Sequence, residues 1–294
     1  MMQTMNRYIW IVAGLLFALL WASASTATKL GLTTSQPLVI AVVRFGVAAA
    51  IMLVYSHFIR GNRLPTGKEW TQLTLYGLLN ITIYLGFYVI AMQSVTAGIG
   101  ALAIATNPVM ISFLSVFFLK KKLTWSIITA LLFGSIGVWV AAWPLLGQAS
   151  VTIEGLMILL FSMFSYSAGA IYFSAKDWNA LPLFTINGWQ TLIGGLLLLP
   201  FAALQYDSQL NNFNATFWTA VLWLAIPVSI VAVQIWLWLL QRNAVKAGLW
   251  LFICPLFGFS IAAWILKDPL SIHTLVGVAL VIGGLAIAQR NTKR

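Results

Sequence analysis

Few residues in this chain have side chains able to do chemistry. Five carboxylates are present, Glu69, Glu154, Asp177, Asp207 and Asp268, with two histidines, His57 and His273, and one cysteine, Cys254. Every acid and both histidines fall beside a polar turn or at the end of an apolar run. No carboxylate or histidine lies deep inside such a run, where it could carry protons, ligate a metal or act as a general base. An intramembrane protease or a metalloenzyme is therefore not expected. No G-x-x-x-x-G-K-[ST] loop is present to cradle a nucleotide. A single cysteine cannot form an intrachain disulfide.

Arg44 is the one charge placed elsewhere. It lies about nine residues into the apolar stretch 36–59, near mid-depth at about 1.5 Å of rise per residue. Two roles fit it: a fixed cation holding an anionic group such as a carboxylate, or a guanidinium bonding carbonyls and loose helix ends of its own half. Polar and aromatic stripes accompany it. Asn80, Tyr84 and Tyr88 follow an i, i+4, i+8 spacing, Gln234 and Trp238 are i, i+4, Ser162 and Tyr166 are i, i+4, and Trp21, Ser25 and Thr28 share a face. Mid-span Asn and Gln are unfavourable facing lipid, so these faces are expected to point inward. One reading lines a central cavity with Trp21, Ser25, Arg44, Asn80, Tyr84, Tyr88, Tyr166, Gln234 and Trp238, joined by Thr106, Asn107 and Trp189. The other makes them glue between helices. Most tryptophans, among them Trp10, Trp70, Trp125, Trp143 and Trp218, are read as an interfacial belt. Pro108 and Pro255 interrupt apolar runs and free backbone carbonyls, which fits either a hinge or a static kink.

The elements that must position these residues follow from composition. Of 294 residues, 61% are hydrophobic and 7% charged, against about 25% charged in a soluble domain. A disordered chain, a disulfide scaffold and a soluble enzyme are excluded. The expectation is an all-α polytopic membrane protein, since a crossing helix needs about 20 apolar residues. Ten spans fit, at 8–30, 36–59, 70–92, 96–119, 123–143, 152–174, 181–204, 215–240, 245–266 and 271–289. Arg7, an apolar run and Ala22-Ser23-Ala24 imitate a signal peptide, but the run continues to about Leu32, so an uncleaved first span is expected. The net charge of +11 invites a nucleic-acid reading. Positive-inside bias explains it without one. With the N-terminus in the cytoplasm, Arg7, Arg60, Arg63, Lys68, Lys120 to Lys122, Lys176, Arg242, Lys246, Arg290, Lys293 and Arg294 all fall on the cytoplasmic side. Only Lys29 and Lys267 oppose them.

The chain also repeats itself. Shifted by 147 residues, 108–141 lies on 255–288: Pro108 meets Pro255, Leu119-Lys120 meets Leu266-Lys267, Leu123-Thr124 meets Leu270-Ser271, and Gly137 meets Gly284. At a shift of 145, Trp21 meets Tyr166, Pro37 meets Pro182 and Arg44 meets Trp189. The expectation is two repeats, 1–147 and 148–294, of five helices each. Because five is odd, the second enters from the opposite side. Such inverted-topology halves belong to secondary transporters, with substrate near the midplane.

Asn107-Pro108 to Leu119 with the Lys-Lys-Lys-Leu-Thr turn, Cys254-Pro255 to Leu266-Lys-Asp-Pro-Leu-Ser, Leu20-Trp21, and the Pro37-to-Arg44 pattern carry a resemblance. In order and spacing the chain resembles EamA-type proteins of the drug/metabolite transporter superfamily. The resemblance implies ten helices in two inverted halves, no enzyme activity, no cofactor, and export or exchange of amino acids or similar metabolites. It departs where the family usually has Glu at the turn before Leu-Thr, which here is Lys121 in one half and Asp268 in the other. Rival readings are a membrane-embedded transferase acting on a lipid-linked substrate, and a channel. Expected partners are a small-molecule substrate and membrane lipid, with no nucleic acid. Gly134 to Gly137 and Gly277 to Gly284 offer faces for a homodimer or for packing inside one chain. The expected location is a bacterial inner membrane with both termini cytoplasmic. A reporter fused after Gln148 is predicted to lie outside the cytoplasm, and a cytoplasmic reporter there would overturn the inverted topology.

Overall fold

The computed structural model describes residues 2–118, 125–145, 151–267 and 271–290. Among them there are helices and no strand: α1 (Met2–Leu32), α2 (Pro37–Leu53), α3 (Lys68–Gly77), α4 (Tyr84–Ala91), α5 (Ala97–Ile104), α6 (Asn107–Phe118), α7 (Trp125–Ala142), α8 (Ile153–Ala175), α9 (Leu183–Leu204), α10 (Ala215–Trp223), α11 (Val233–Gly248), α12 (Cys254–Ile265) and α13 (Ile272–Arg290). Their starts are where local chemistry puts them. Pro37 opens α2, where a missing N–H costs nothing. Thr96, Thr152 and Asn214 cap α5, α8 and α10 by accepting from the backbone N–H three residues on.

Seven helical runs among the described residues are long and apolar enough to cross a bilayer: Tyr8–Leu32, Pro37–Ile59, Lys68–Ala91, Ala97–Phe118, Ile153–Ala175, Leu183–Leu204 and Ala215–Arg242. Three shorter apolar helices accompany them, at Leu132–Ala141, Trp250–Ile265 and Ile272–Gly284. The chain is a multi-pass membrane protein. The turns that carry Lys120 to Lys122, Asp268 and Gln148 lie outside the described residues. Between the eighth and ninth expected spans the helix continues through Arg242 to Gly248, and the chain reverses over Leu249–Phe252. Arg242 and Lys246 thus belong to a helix rather than to the expected loop.

Three of the runs contain π-helical stretches. Val54–Ile59 extends α2, Leu78–Ile83 joins α3 to α4, and Leu224–Ala232, which contains Pro227, joins α10 to α11. A π turn widens the helix and leaves carbonyls needing other partners. The expected kinks at Pro108 and Pro255 take a different form. Each proline is the second residue of a new helix, α6 or α12, after a break at Ala105-Thr106 or Ile253. A proline in the first turn gives up a donor that would have no intrahelical partner anyway.

Helices pack in pairs: α2 on α9, α7 on α13, α5 on α12, α4 and α6 on α8, and α1 on α10 and α12. The backbones of α7 and α13 approach closely. A Cβ at Gly137 would meet Gly277 O at 2.6 Å, and one at Gly277 would meet Gly137 O at 2.5 Å. These glycines are therefore engaged within the chain, while Gly134 and Gly283 face open space. Gly277→Val is expected to push the two helices apart and lower stability by about 1–3 kcal/mol, read as a lower melting temperature in detergent. Gly134→Val is expected to leave it unchanged.

Candidate functional site

The bundle core is aromatic. Trp21 on α1 stacks on Phe17 at 5.7 Å and Tyr84 at 6.5 Å between ring centroids, and meets Tyr166 of α8 at 5.9 Å. Tyr84 lies 4.7 Å from Tyr166 and 6.0 Å from Tyr88. Trp236 of α11 closes the cluster, 5.9 Å from Tyr166 and 5.0 Å from Phe17. All six rings are buried. The Tyr88 hydroxyl and Ser25 Oγ share a hydrogen bond of 2.7 Å. Trp21 Nε1 and the Tyr166 hydroxyl are buried with no hydrogen-bond partner. Such atoms are unfavourable in an interior unless something else meets them.

Arg44, 1% exposed, lies on α2, which packs against α4 and so borders the cluster. Its Nε–H donates to Ser229 Oγ at 2.8 Å. This partner is a side chain 185 positions away, in the π-helical stretch Leu224–Ala232, and not a carbonyl of its own half. Among the described residues no carboxylate pairs with it. The carbonyl of the same Ser229 accepts from Asn187 Nδ2 at 2.9 Å. Asn187 Oδ1 accepts from Gln190 Nε2 at 3.0 Å and Thr191 Oγ1 at 3.4 Å, and Gln190 Oε1 accepts from Asn80 Nδ2 at 3.1 Å. A continuous polar relay on α9 thus links Asn80, in the π-helical stretch Leu78–Ile83, to Ser229 and Arg44. The Leu79 carbonyl of that stretch accepts from Ser165 Oγ at 2.8 Å.

Of the residues singled out from sequence, Trp21, Ser25, Tyr84, Tyr88 and Tyr166 come together, with Arg44 and Asn80 on the adjoining relay. Asn107 is buried next to α8, its Nδ2 3.4 Å from Met163 Sδ, and its carbonyl and Oδ1 both accept from Ser167 Oγ at 3.3 Å. Thr106 Oγ1 donates to its own chain at Ala103 O, which satisfies the break before α6. Trp189 lies apart from the cluster. Its Nε1–H donates to His57 Nε2 at 3.0 Å, which places the imidazole proton on Nδ1, facing Asn62 O at 2.9 Å. Trp238 is also apart, 6.0 Å from Trp10 and with the Arg242 guanidinium 3.5 Å over its ring. Gln234 is half-buried with an unpartnered Oε1.

Sequence reasoning missed Phe17, Trp236, Ser229 and the α9 trio Asn187, Gln190 and Thr191. The trio had a readable signal, an i, i+3, i+4 polar stripe in an apolar helix; the lone apolar Trp236 had none. It also missed how the acid Glu69 is held. Glu69 is buried and takes a bidentate pair of bonds from Arg63, at 2.6 and 2.7 Å, plus the Thr66 N–H at 2.8 Å. Arg63 also donates to Asn179 O at 3.2 Å, and the bond to Glu69 holds its guanidinium above its ordinary range. A neutral clasp ties another pair of turns: Gln36 Oε1 accepts from Asp207 N and Asn211 Nδ2, and Gln36 Nε2 donates to Gln205 O. Asn187→Ala removes three of the relay's bonds, so it is expected to lower stability by about 1–3 kcal/mol. Thr191→Val, which loses only the long bond, is expected to cost much less in the same melting experiment.

Comparison with known proteins places this geometry. A model of the EamA-like transporter family matches residues 8–143 and 153–289. The chain is 28% identical over 273 residues to Protein PecM of Dickeya dadantii, covering 92% of this chain and 88% of that one. It is 25% identical over 284 residues to an uncharacterized transporter of Archaeoglobus fulgidus, covering 96% and 98%. It is 29% identical over 235 residues to the uncharacterized inner membrane transporter YedA of Escherichia coli K12, covering 78% and 74%. A solved crystal structure shares the fold, with a TM-score of 0.72 over 98% of this chain and 99% of that chain at 19% identity. With nearly the whole length matched by the family model, the chain belongs to the EamA-like transporter family.

Proposed function

We propose that this transporter moves small metabolites, the class to which amino acids belong, by alternating access through a central site between two inverted five-helix halves, 1–147 and 148–294. The observation that carries the reading is the meeting of Trp21 and Tyr166. These residues align at the shift of 145, touch at 5.9 Å, and each holds a buried polar atom without a partner. A site on a pseudo-two-fold axis can open to either side. Three further features support it. The family model matches two stretches of similar length. Under that shift the packing of α4 on α8 exchanges with that of α1 on the Leu224–Ala232 stretch and α11, and the pair α6–α8 exchanges with α1–α12. The π-helical stretches Leu78–Ile83 and Leu224–Ala232 fall at nearly equivalent places.

In this reading Trp21, Ser25, Tyr84, Tyr88 and Tyr166 bound the substrate, Arg44 and Asn80 shape it from the relay, and Thr106 and Asn107 flank it. Trp189, Gln234 and Trp238 act from the periphery. The breaks before Pro108 and Pro255 serve as hinges. The protein sits in a bacterial inner membrane with both termini cytoplasmic. Transport runs by exchange or down the substrate's own gradient, because among the described residues no buried carboxylate is poised to carry a proton. Glu69 is tied to Arg63, and Glu154, Asp177 and Asp207 are exposed.

Counterflow in proteoliposomes with a metabolite panel tests this. Saturable counterflow is expected; ion current would favour a channel, and product formation without flux a transferase. Tyr84→Ala and Tyr166→Ala are each expected to lower it about tenfold or more, since about 1.4 kcal/mol of lost binding is tenfold. Neutralising Glu154, Asp177, Asp207 or Asp268 is expected to leave any pH-driven accumulation unchanged. If one of these neutralisations abolishes that accumulation while counterflow survives, a carboxylate carrier exists and the driving-force reading is wrong.

A further inference from the structure

We infer that the aromatic cluster selects organic anions with a flat apolar body, such as aromatic monocarboxylates, over zwitterions and cations of the same shape. The inference rests on the reading of this cluster as the transport site and concerns which charge it accepts. The two unmet polar groups on the rings themselves can donate. Trp21 Nε1–H can only donate, the Tyr166 hydroxyl is free to donate, and both are buried without partners. Arg44 adds a permanent positive charge with one recorded hydrogen bond, to Ser229. Ser25 and Tyr88, the remaining hydroxyl pair on the cluster, already satisfy each other at 2.7 Å.

No carboxylate among the described residues pairs with Arg44. Among the described residues the only buried acid is Glu69, and it is held by Arg63. Buried charges in such surroundings are stable only when paired. An entering carboxylate would neutralise Arg44 and accept from the free donors. A zwitterion would do the same with its carboxylate but would carry an ammonium into a site with no anionic partner, compensated only by ring faces, a weaker attraction. A cation would meet Arg44 with like charge. Around Tyr84 the rings lie at centroid separations of 4.7 to 6.5 Å, Trp21 stacked on it and Tyr166 tilted against it, and such faces suit a planar apolar body that parts them and stacks in turn.

Calorimetric titration of the purified full chain with phenylpropionate, phenylalanine and phenethylamine tests the inference, since these probes share a ring and differ in charge. Phenylpropionate is expected to bind at least about tenfold tighter than phenylalanine, which is about 1.4 kcal/mol, and phenethylamine not to bind. Arg44→Gln is expected to erase the preference and Arg44→Lys to keep its direction. Ser229→Ala, which leaves the guanidinium in place, also keeps it and controls for a folding effect at Arg44. Trp21→Phe and Tyr166→Phe, which keep the rings and remove only the donors, are expected to weaken phenylpropionate several-fold. Equal or tighter binding of phenylalanine, a preference that survives Arg44→Gln, or no binding of phenylpropionate overturns the inference. If the order is reversed yet Trp21→Phe and Tyr166→Phe still weaken binding, the cluster stands as the site and only its charge selection falls. If phenylpropionate binds and neither donor removal matters, the site itself is misplaced.

Discussion

A bilayer core offers no water, so every polar group inside it must find a partner within the protein. Arg44 states that constraint most sharply. Its guanidinium is buried at mid-bundle, away from any described carboxylate, and its Nε–H is met by Ser229 from the far half of the sequence. Ser229 in turn sits in a π-helical stretch and its carbonyl accepts from Asn187. Asn187 needs Gln190, and Gln190 needs Asn80 in the other central π-helical stretch. Meeting one buried group thus commits α2, α9, α10, α11 and the α3–α4 run to a single arrangement. Such a network is strong when complete and unfavourable when broken.

The same constraint separates the core into two kinds of polar atom. Those on the relay have partners and hold helices together. On the aromatic cluster Tyr88 and Ser25 pair with each other, while Trp21 Nε1 and the Tyr166 hydroxyl have no partner. The cluster is drawn from α1, α4, α8 and α11, while the clasps at Glu69 and Gln36 tie turns of one half to turns of the other. A rigid relay beside a set of unmet groups is the arrangement expected of a site that holds a solute and then releases it.

Much of this was legible in the residue pattern, for identifiable reasons. Asn80, Tyr84 and Tyr88 were readable as an inward face because a helical period carries them onto one side. Trp21, Ser25 and Tyr166 followed in the same way. Trp238 falls outside the aromatic cluster because the face that α11 turns inward depends on the preceding Leu224–Ala232 stretch. Each π turn there adds a residue and rotates everything beyond it, so Trp236 rather than Trp238 meets Tyr166. Pro227 was a hint of that irregularity, while Leu78–Ile83 contains no proline to mark it. Arg44's partner was illegible because nothing in a linear pattern brings positions 44 and 229 together. Glu69 read as a turn residue because burial by a six-residue return to Arg63 leaves no periodic trace.

The central claim is that one buried cluster faces each side of the membrane in turn. Ser25, paired with Tyr88 at its edge, is a suitable place to read this. In a chain whose single native cysteine is changed, Cys254→Ser, the variant Ser25→Cys can be challenged with a membrane-impermeant thiol reagent in right-side-out and inside-out vesicles. The account predicts labelling in both orientations, slowed in both by a transported solute. Labelling from one side only, or protection by solute on one side only, would contradict it.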